Sequence, residues 1–385
     1  MSSASKTEPH KTGLKHDRIP SLRVGEDPGQ RGIAHGRTFK AEVAANLETY
    51  LKRFEASGMT RPEAYAEAKR WGASMQRQNS EYAEEMSGLA RGADQELAAI
   101  WLLNARYEIT FTLFGKDAQA KEKAAAETDG CTTFGVLPEA TADGKTWLGQ
   151  NWDWLEGVHK GTLVLHIERK SKPSIVCLTE AGILGGKMGV NSAGIGLVEN
   201  GLASSLDGRN GYQKPFHMRC REIHDADRFE DAIRPVIDTK RTCSANFVVG
   251  DAGGEIIDIE TSPDHLTYLW PVEGIVTHSN HFIGQGHGES QMEKNGPNTL
   301  YRAARLRRLL EKDRGRLGLS HFKAAMSDRF GAPNAISRTP DPRMAEAKRL
   351  MTTGAVLIDL AERVLHVAAG PPSDYAYHPF AVDAV

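Results

Sequence analysis

Cysteine is scarce in this chain. There are four in 385 residues, Cys131, Cys177, Cys220 and Cys243, widely spaced and with no Cys-x-x-Cys pair. That excludes a disulfide framework and fits a reducing cytoplasm, the expected location. No apolar run reaches the roughly 18 residues a membrane span needs, so no membrane partner is expected. The polar start, Met1 to Arg18, lacks the apolar core of a secretory signal. Charge of one sign is also lacking: the formal net charge is -2. Nucleic acid therefore finds no general attraction. The basic run at Arg302, Arg305, Arg307, Arg308, Lys312 and Arg314 reads as a solvated helix face without interleaved aromatics. There is no Gly-x-Ser-x-Gly elbow. The glycines around Lys187 are followed by Met188 where a phosphate loop needs Ser or Thr. His278, His281 and His287 match no common zinc spacing, and no metal is expected.

What is present is an ordinary globular composition, 40% hydrophobic and 25% charged. Residues 1–18 read as a disordered tail. Arg23 to Arg37, with Gly25, Gly29, Gly32 and Gly36, reads as a turn-rich lead-in. Helices are expected over Phe39 to Phe54, Pro62 to Gln76 and Tyr82 to Gly92, followed by one capped by Asp94 and running through Leu103. Lys116 to Thr128 reads as an exposed linker. Beyond it the pattern turns to strands, over Thr162 to Glu168, Ser174 to Leu178, Ile195 to Val198, Ala245 to Val249, Glu255 to Glu260 and Leu266 to Trp270. Pro215 to Ile237 and Asn298 to Glu311 interrupt them as helices, and Ala355 to Ala368 closes as a hairpin. Strand runs separated by helices predict an α+β layered fold rather than a βαβ repeat.

The dipeptide Gly130-Cys131, followed by Thr132 and Thr133, carries the chemistry. A thiol there can attack the carbonyl before it and convert the amide to a thioester that water opens. Glycine lets the backbone reach the geometry this needs. The cut would free an α-amine on Cys131. The ordinary pKa of an α-amine, about 7.7–8, suits a general base for its own thiol. The ordinary alternative is a buried structural cysteine in a strand.

Asp129-Gly130-Cys131-Thr132-Thr133, followed by Gly149-Gln150-Asn151-Trp152-Asp153-Trp154, resembles the acyl-coenzyme A:isopenicillin N acyltransferase family. That family belongs to the N-terminal-nucleophile (Ntn) hydrolases, near the bile-salt and penicillin V hydrolases. Asn104 to Glu108, Gly189 to Gly194 and Ser279 to Phe282 extend the likeness. It implies a four-layer αββα sandwich, with 19–130 as a mainly helical N-terminal segment and 131–385 as the catalytic segment. The two would stay associated after self-cleavage. By the same resemblance, Cys131 supplies nucleophile and base, Asp153 orients the new amine, and Asn246 donates to the oxyanion. Arg302 favours the thiolate, with Arg305 as its rival, and Asn191 is a candidate second oxyanion donor. The expected activity is hydrolysis of a linear amide, or acyl transfer, on a small-molecule substrate. No cofactor is expected, and a coenzyme A thioester is allowed as co-substrate. The alternative function is an uncleaved relative that binds without catalysing.

Overall fold

The structure, a computed structural model, describes residues 13–119 and 130–382, without the side chains of 114–119 and 295. Most of the expected tail and of the linker thus lies outside the described residues. The part of the tail that is described is docked: the Lys15 N–H donates to Asp374 O at 2.7 Å, and Ala376 N–H returns to Lys15 O at 2.8 Å.

The first segment comprises β1 (Ser21–Val24), α1 (Pro28–Thr38), α2 (Lys40–Glu55), α3 (Arg61–Gln78), α4 (Ser80–Ala93), α5 (Leu97–Asn104) and α6 (Arg106–Gln119). The expected turn-rich lead-in is instead helix α1. Its glycines serve close helix contact, not turns. A Cβ on Gly32 would meet Glu85 O at 2.1 Å, and one on Gly36 would meet Leu89 O at 2.3 Å, both on the backbone of α4. Gly88 and Gly92 reciprocate against Gly29 O and Ile33 O. Asp27 caps α1 and Pro28 opens it, a start signal that the glycines obscure. Asp94 does not begin a helix. It ends α4 in the left-handed conformation (φ 54°), where Asp is tolerated better than most residues. The chain past Asn104 re-enters a helix, α6, that reaches into the expected linker.

The second segment comprises β2 (Thr132–Val136), β3 (Trp147–Leu155), β4 (Thr162–Ile167), β5 (Ile175–Glu180), β6 (Met188–Asn191) and β7 (Ile195–Gly201). Two helices follow, α7 (Phe216–His224) and α8 (Phe229–Ile237), where one was expected. Then come β8 (Ala245–Asp251), β9 (Glu255–Thr261), β10 (Leu266–Leu269), β11 (Ile275–His278), α9 (Met292–Asn295), α10 (Thr299–Glu311), α11 (Leu319–Met326), β12 (Leu350–Asp359), β13 (Val364–Ala368) and β14 (Tyr377–Ala381). One sheet runs β1-β4-β5-β6-β7-β8-β9-β10, the other β11-β2-β3-β12-β13-β14. They face each other, β2 and β3 against β7 and β8. Helices α7 and α8 cover the first sheet, α10 and α11 the second, so the layers run α-β-β-α. The fold class read from the sequence holds.

The two segments share buried polar contacts. Glu180, at the end of β5, accepts from Arg106 Nη2 of α6 at 2.6 Å, from Lys187 Nζ at 2.5 Å and from the hydroxyl of Tyr50 on α2. The Tyr50 hydroxyl also accepts from Trp154 Nε1 of β3 at 2.8 Å. Burial opposes a charge on Glu180, but Arg106 and Lys187 outweigh it and hold the carboxyl at about 2. Buried charges are tolerated only when paired in this way.

Candidate active site

Strands β2 and β3 set the two central positions. They pair antiparallel with Thr132 opposite Asn151, and the Gly130 N–H to Asp153 O contact of 3.4 Å carries the pairing one step further. Side chains alternate across a strand. Asn151 and Asp153 therefore face the α10–α11 layer, where Asn151 Nδ2 donates to Met326 O at 2.9 Å and Ile336 O at 2.8 Å. Gln150, Trp152 and Trp154 face the other sheet, as does Cys131, which is fully buried in the core that holds Trp152. The run Gln150 to Trp154 is thus one strand, with Gln150, Trp152 and Trp154 inward and Asn151 and Asp153 outward.

On the outer side Arg302 of α10 reaches the Gly130–Cys131 bond. Its Nη1 donates to Gly130 O at 2.9 Å, Cys131 O at 2.5 Å and Thr132 Oγ1 at 2.7 Å. Its Nη2 holds Asn280 Oδ1 at 2.6 Å and its Nε holds Asn298 Oδ1 at 2.9 Å. Arg305, the rival, points elsewhere: it forms a bidentate pair with Asp328 at 2.6 and 2.7 Å. Asp153 is bound by Arg338 Nε at 3.1 Å and by Thr352 Oγ1 at 2.6 Å. Arg338 Nη2 also holds Asn298 Oδ1 at 3.1 Å. Two guanidinium groups thus share Asn298 and bracket the Gly130–Cys131 bond.

On the inner side a polar layer lies between the sheets. Asn200 and Asn246 are register partners across β7 and β8, and Asn246 and Glu260 across β8 and β9. Thr133 and His278 are partners across β2 and β11. The layer closes through Thr133 Oγ1 to Asn200 Oδ1 at 2.8 Å, Asn246 Nδ2 to Asn200 Oδ1 at 3.2 Å, and His278 Nε2 to Glu260 Oε1 at 2.9 Å. Thr133 lies two positions after Cys131 and faces the same way, so Asn246 belongs to the layer next to the Cys131 side chain. Beside Asn246, Asp258 is raised to about 6 by burial, against the opposing pull of His278 and of a side-chain hydrogen bond from Asn246. His278 Nδ1 faces Ser279 O at 2.7 Å. Both ring nitrogens thus face acceptor oxygens, which favours the charged ring. Burial alone would lower its pKa, but Asp258 and Glu260 raise it.

The candidate second oxyanion donor, Asn191, is not available. Its amide nitrogen is spent on His224 O at 3.0 Å and Ala226 O at 2.6 Å, and its oxygen accepts from Ala193 and Ile195 N–H. It ties the turn after β6 to the α7–α8 junction.

The sequence reading missed Arg338, Asn298, Asn280 and Thr352. Asn280 lies in the Ser279-to-Phe282 run that carries part of the resemblance. Thr352 is the register partner of Asp153 beside a bulge. Arg338 and Asn298 have no local signature, since only the folded chain brings them together.

The acyl-coenzyme A:6-aminopenicillanic acid acyl-transferase family matches residues 140–374, a span that contains Asp153, Asn246, Arg302 and Arg338. The chain belongs to this family. It is therefore an enzyme of the acyltransferase and amidohydrolase class. It is similar to the acyl-coenzyme A:6-aminopenicillanic-acid-acyltransferase 40 kDa form of Emericella nidulans, 29% identical over 282 residues, 72% of this chain and 68% of that protein. Two solved structures are more distant. A penicillin V acylase from Agrobacterium tumefaciens is 13% identical with a TM-score of 0.43, covering 62% of this chain and 82% of that one. An N-acylethanolamine-hydrolyzing acid amidase ortholog from Caenorhabditis elegans is 11% identical with a TM-score of 0.44, covering 66% and 100%. Among the described residues, no group of three or more His, Cys, Asp or Glu gathers to hold a metal, and no helix is long and apolar enough to cross a membrane.

Proposed function

We propose that this acyltransferase-family enzyme cuts itself between Gly130 and Cys131 and then transfers or hydrolyses acyl groups through a Cys131 thioester. The observation that carries this reading is the Arg302 Nη1 contact of 2.9 Å on Gly130 O, the oxygen of the bond to be cut. Cys131 Sγ attacks the Gly130 carbonyl carbon, and negative charge grows on that oxygen against a fixed guanidinium. The C–N bond then breaks, the C–S bond remains, and the thiol proton ends on the Cys131 nitrogen. Water opens the thioester, leaving a Gly130 carboxylate, a free thiol and a new α-amine.

In the mature enzyme the α-amine takes the thiol proton and the thiolate attacks the substrate carbonyl. The amine returns the proton to the leaving group. Water, or an acceptor amine, resolves the acyl-Cys131 intermediate. Asn246 offers the oxyanion an N–H, and Asp153, oriented by Arg338 and Thr352, supports the charged amine. The acyl donors that suit this chemistry are small amides and coenzyme A thioesters, with a penicillin-like amine as one acceptor class. The buried Glu180 contacts to Arg106 and Tyr50 support continued association of the two chains.

Mass spectrometry with N-terminal sequencing of recombinant protein tests the reading. The expected products are chains of residues 1–130 and 131–385, the second starting at Cys131, with Cys131→Ala intact and inactive. A fully active protein with an intact bond would overturn it.

A further inference from the structure

Each inward-facing indole of β3 is covered by a buried cation. Lys187, just before β6, places Nζ 3.4 Å from the centroid of the Trp152 ring. Arg106 of α6 places its guanidinium carbon 4.8 Å from that of Trp154. Both cations bind Glu180, Lys187 at 2.5 Å and Arg106 at 2.6 Å. The Lys187 side chain has no exposure, and lysine is almost never fully buried unless paired. Trp152 leads to Cys131. Thr132 pairs with Asn151, and the Gly130 N–H reaches toward Asp153 O, so Cys131 stands opposite Trp152 across β2 and β3. Opposed side chains of an antiparallel pair share a face, with Cβ atoms about 4.5–5.5 Å apart. Cys131 and Trp152 also lie in one buried cluster. Thiol, ring and ammonium therefore follow one another through the core.

An ion pair is not needed here for stability, since apolar residues of like volume often serve a core as well. What an apolar residue could not supply is a charge beside the thiol. The other charged and titratable groups around Lys187 are Glu180 of β5, Arg106 of α6, Glu199 of β7, and His217 and Cys220 of α7, with Tyr50 of α2 on Glu180. Burial keeps His217 uncharged and Cys220 and Tyr50 protonated. Burial also lowers Lys187, to about 8, with Glu180 and Glu199 opposing and Arg106 adding to the fall. Lys187 is therefore charged at pH 7. Without its charge, Glu180 and Glu199 would outnumber Arg106, an imbalance that disfavours a thiolate.

We propose that Lys187 is a positioning residue for Cys131: held between Glu180 and the Trp152 ring, it fixes the ring beside the thiol and sets a positive charge on the thiol's inner side. The proposal rests on the reading of Cys131 as nucleophile. The probe is iodoacetamide, which alkylates thiolates. Its rate of inactivating cut protein, followed against pH, gives the midpoint of thiolate formation. Burial raises Cys177, Cys220 and Cys243, which keeps them protonated in this range, and Cys131→Ala is the blank. Lys187→Gln and Lys187→Met both remove the charge, the first keeping a donor for Glu180, the second the volume of the stem. Either should raise the midpoint by roughly one unit, the lower end of what a nearby opposite charge does. Lys187→Arg should restore most of that shift. Thermal melts alongside report the fold. A midpoint unchanged in a folded, cut Gln or Met variant would overturn the proposal. So would an equal shift in Lys187→Arg, which marks a packing role alone. A folded Gln variant that stays uncut beside a cut Arg variant supports it, because self-cleavage uses the same thiol. Gln, Met and Arg variants that all stay uncut overturn it. Wild type that keeps its activity after Cys131 is alkylated defeats the nucleophile reading instead.

Discussion

A Cβ on residue 130 would sit 2.8 Å from Cζ of Arg338. Arg338 cannot swing clear without leaving Asp153 and Asn298, which hold it at 3.1 Å each. Glycine at 130 thus leaves room for a guanidinium that Asp153 and Asn298 hold in place. Gly130→Ala is expected to slow self-cleavage. Overpacking costs about 1–3 kcal/mol, and if that falls on the reacting geometry the rate drops roughly 5- to 150-fold. A time course of the cut fraction on denaturing gels measures it. Cleavage at the wild-type rate would show that Arg338 gives way.

Arg302→Met should slow cleavage by roughly 10²–10³, the usual range for losing an oxyanion donor. Arg302→Lys should recover only part of this, because a point charge cannot reproduce the fork that spans Gly130 O, Thr132 Oγ1 and Asn280. Arg305→Met is the control and should cut normally, since Arg305 is committed to Asp328. The same time course separates the three. Equal rates for the Arg302 and Arg305 variants would remove the guanidinium from the chemistry.

The two asparagines near the bond should separate by step. Asn246→Ala, in cleaved protein, should lower turnover by roughly 10²–10³ with a smaller effect on KM. Asn280→Ala should act first on self-cleavage, because Asn280 orients Arg302. Asn191→Ala should lower melting temperature by freeing the α7–α8 junction while leaving turnover per cut molecule unchanged. Steady-state kinetics normalised to the cut fraction, with thermal melts alongside, decides among them.

Much of this site was legible because its residues are local. Gly130-Cys131 stands out by its own residues, whereas Asp153 and Arg302 were singled out by the family resemblance, Arg302 with Arg305 as its rival. Arg338 was not legible. It stands in a loop between α11 and β12, and its role depends on β12 bringing Thr352 opposite Asp153. The fold shows the same division. Amphipathic helices α2 to α4 and the meander β8–β10 announce themselves by period. Strands β2 and β3 do not, because they are buried on both faces and show no alternation of apolar and polar residues. Helix α1 was hidden for a different reason. Its glycines satisfy a backbone-to-backbone approach with α4 that no single-segment pattern reports.

Glu108 of α6 supplies a pH test of the fold independent of catalysis. The side chain is buried, with Oε1 accepting from Phe216 N at 2.5 Å and Oε2 without a partner among the described residues. Burial pushes its pKa up to about 7, against the opposing pull of the Phe216 N–H and of Arg219 and Arg106. The folded state therefore binds this proton more tightly than the unfolded state, where the pKa is about 4.3. The stability this proton contributes is complete below the unfolded value. It is lost as pH rises to 7 and is gone above it. The loss is on the order of 3 kcal/mol. Glu108→Gln keeps an acceptor for Phe216 and removes the ionisation. It should match wild type at pH 4.5 and exceed it increasingly up to pH 8 in urea denaturation. Asp207 and Asp258, also raised by burial to about 7 and about 6, titrate in the same direction in both proteins. The difference between variant and wild type at each pH therefore isolates Glu108. A constant difference across that range, or one that shrinks as pH rises, would show that Glu108 enters the folded state already ionised.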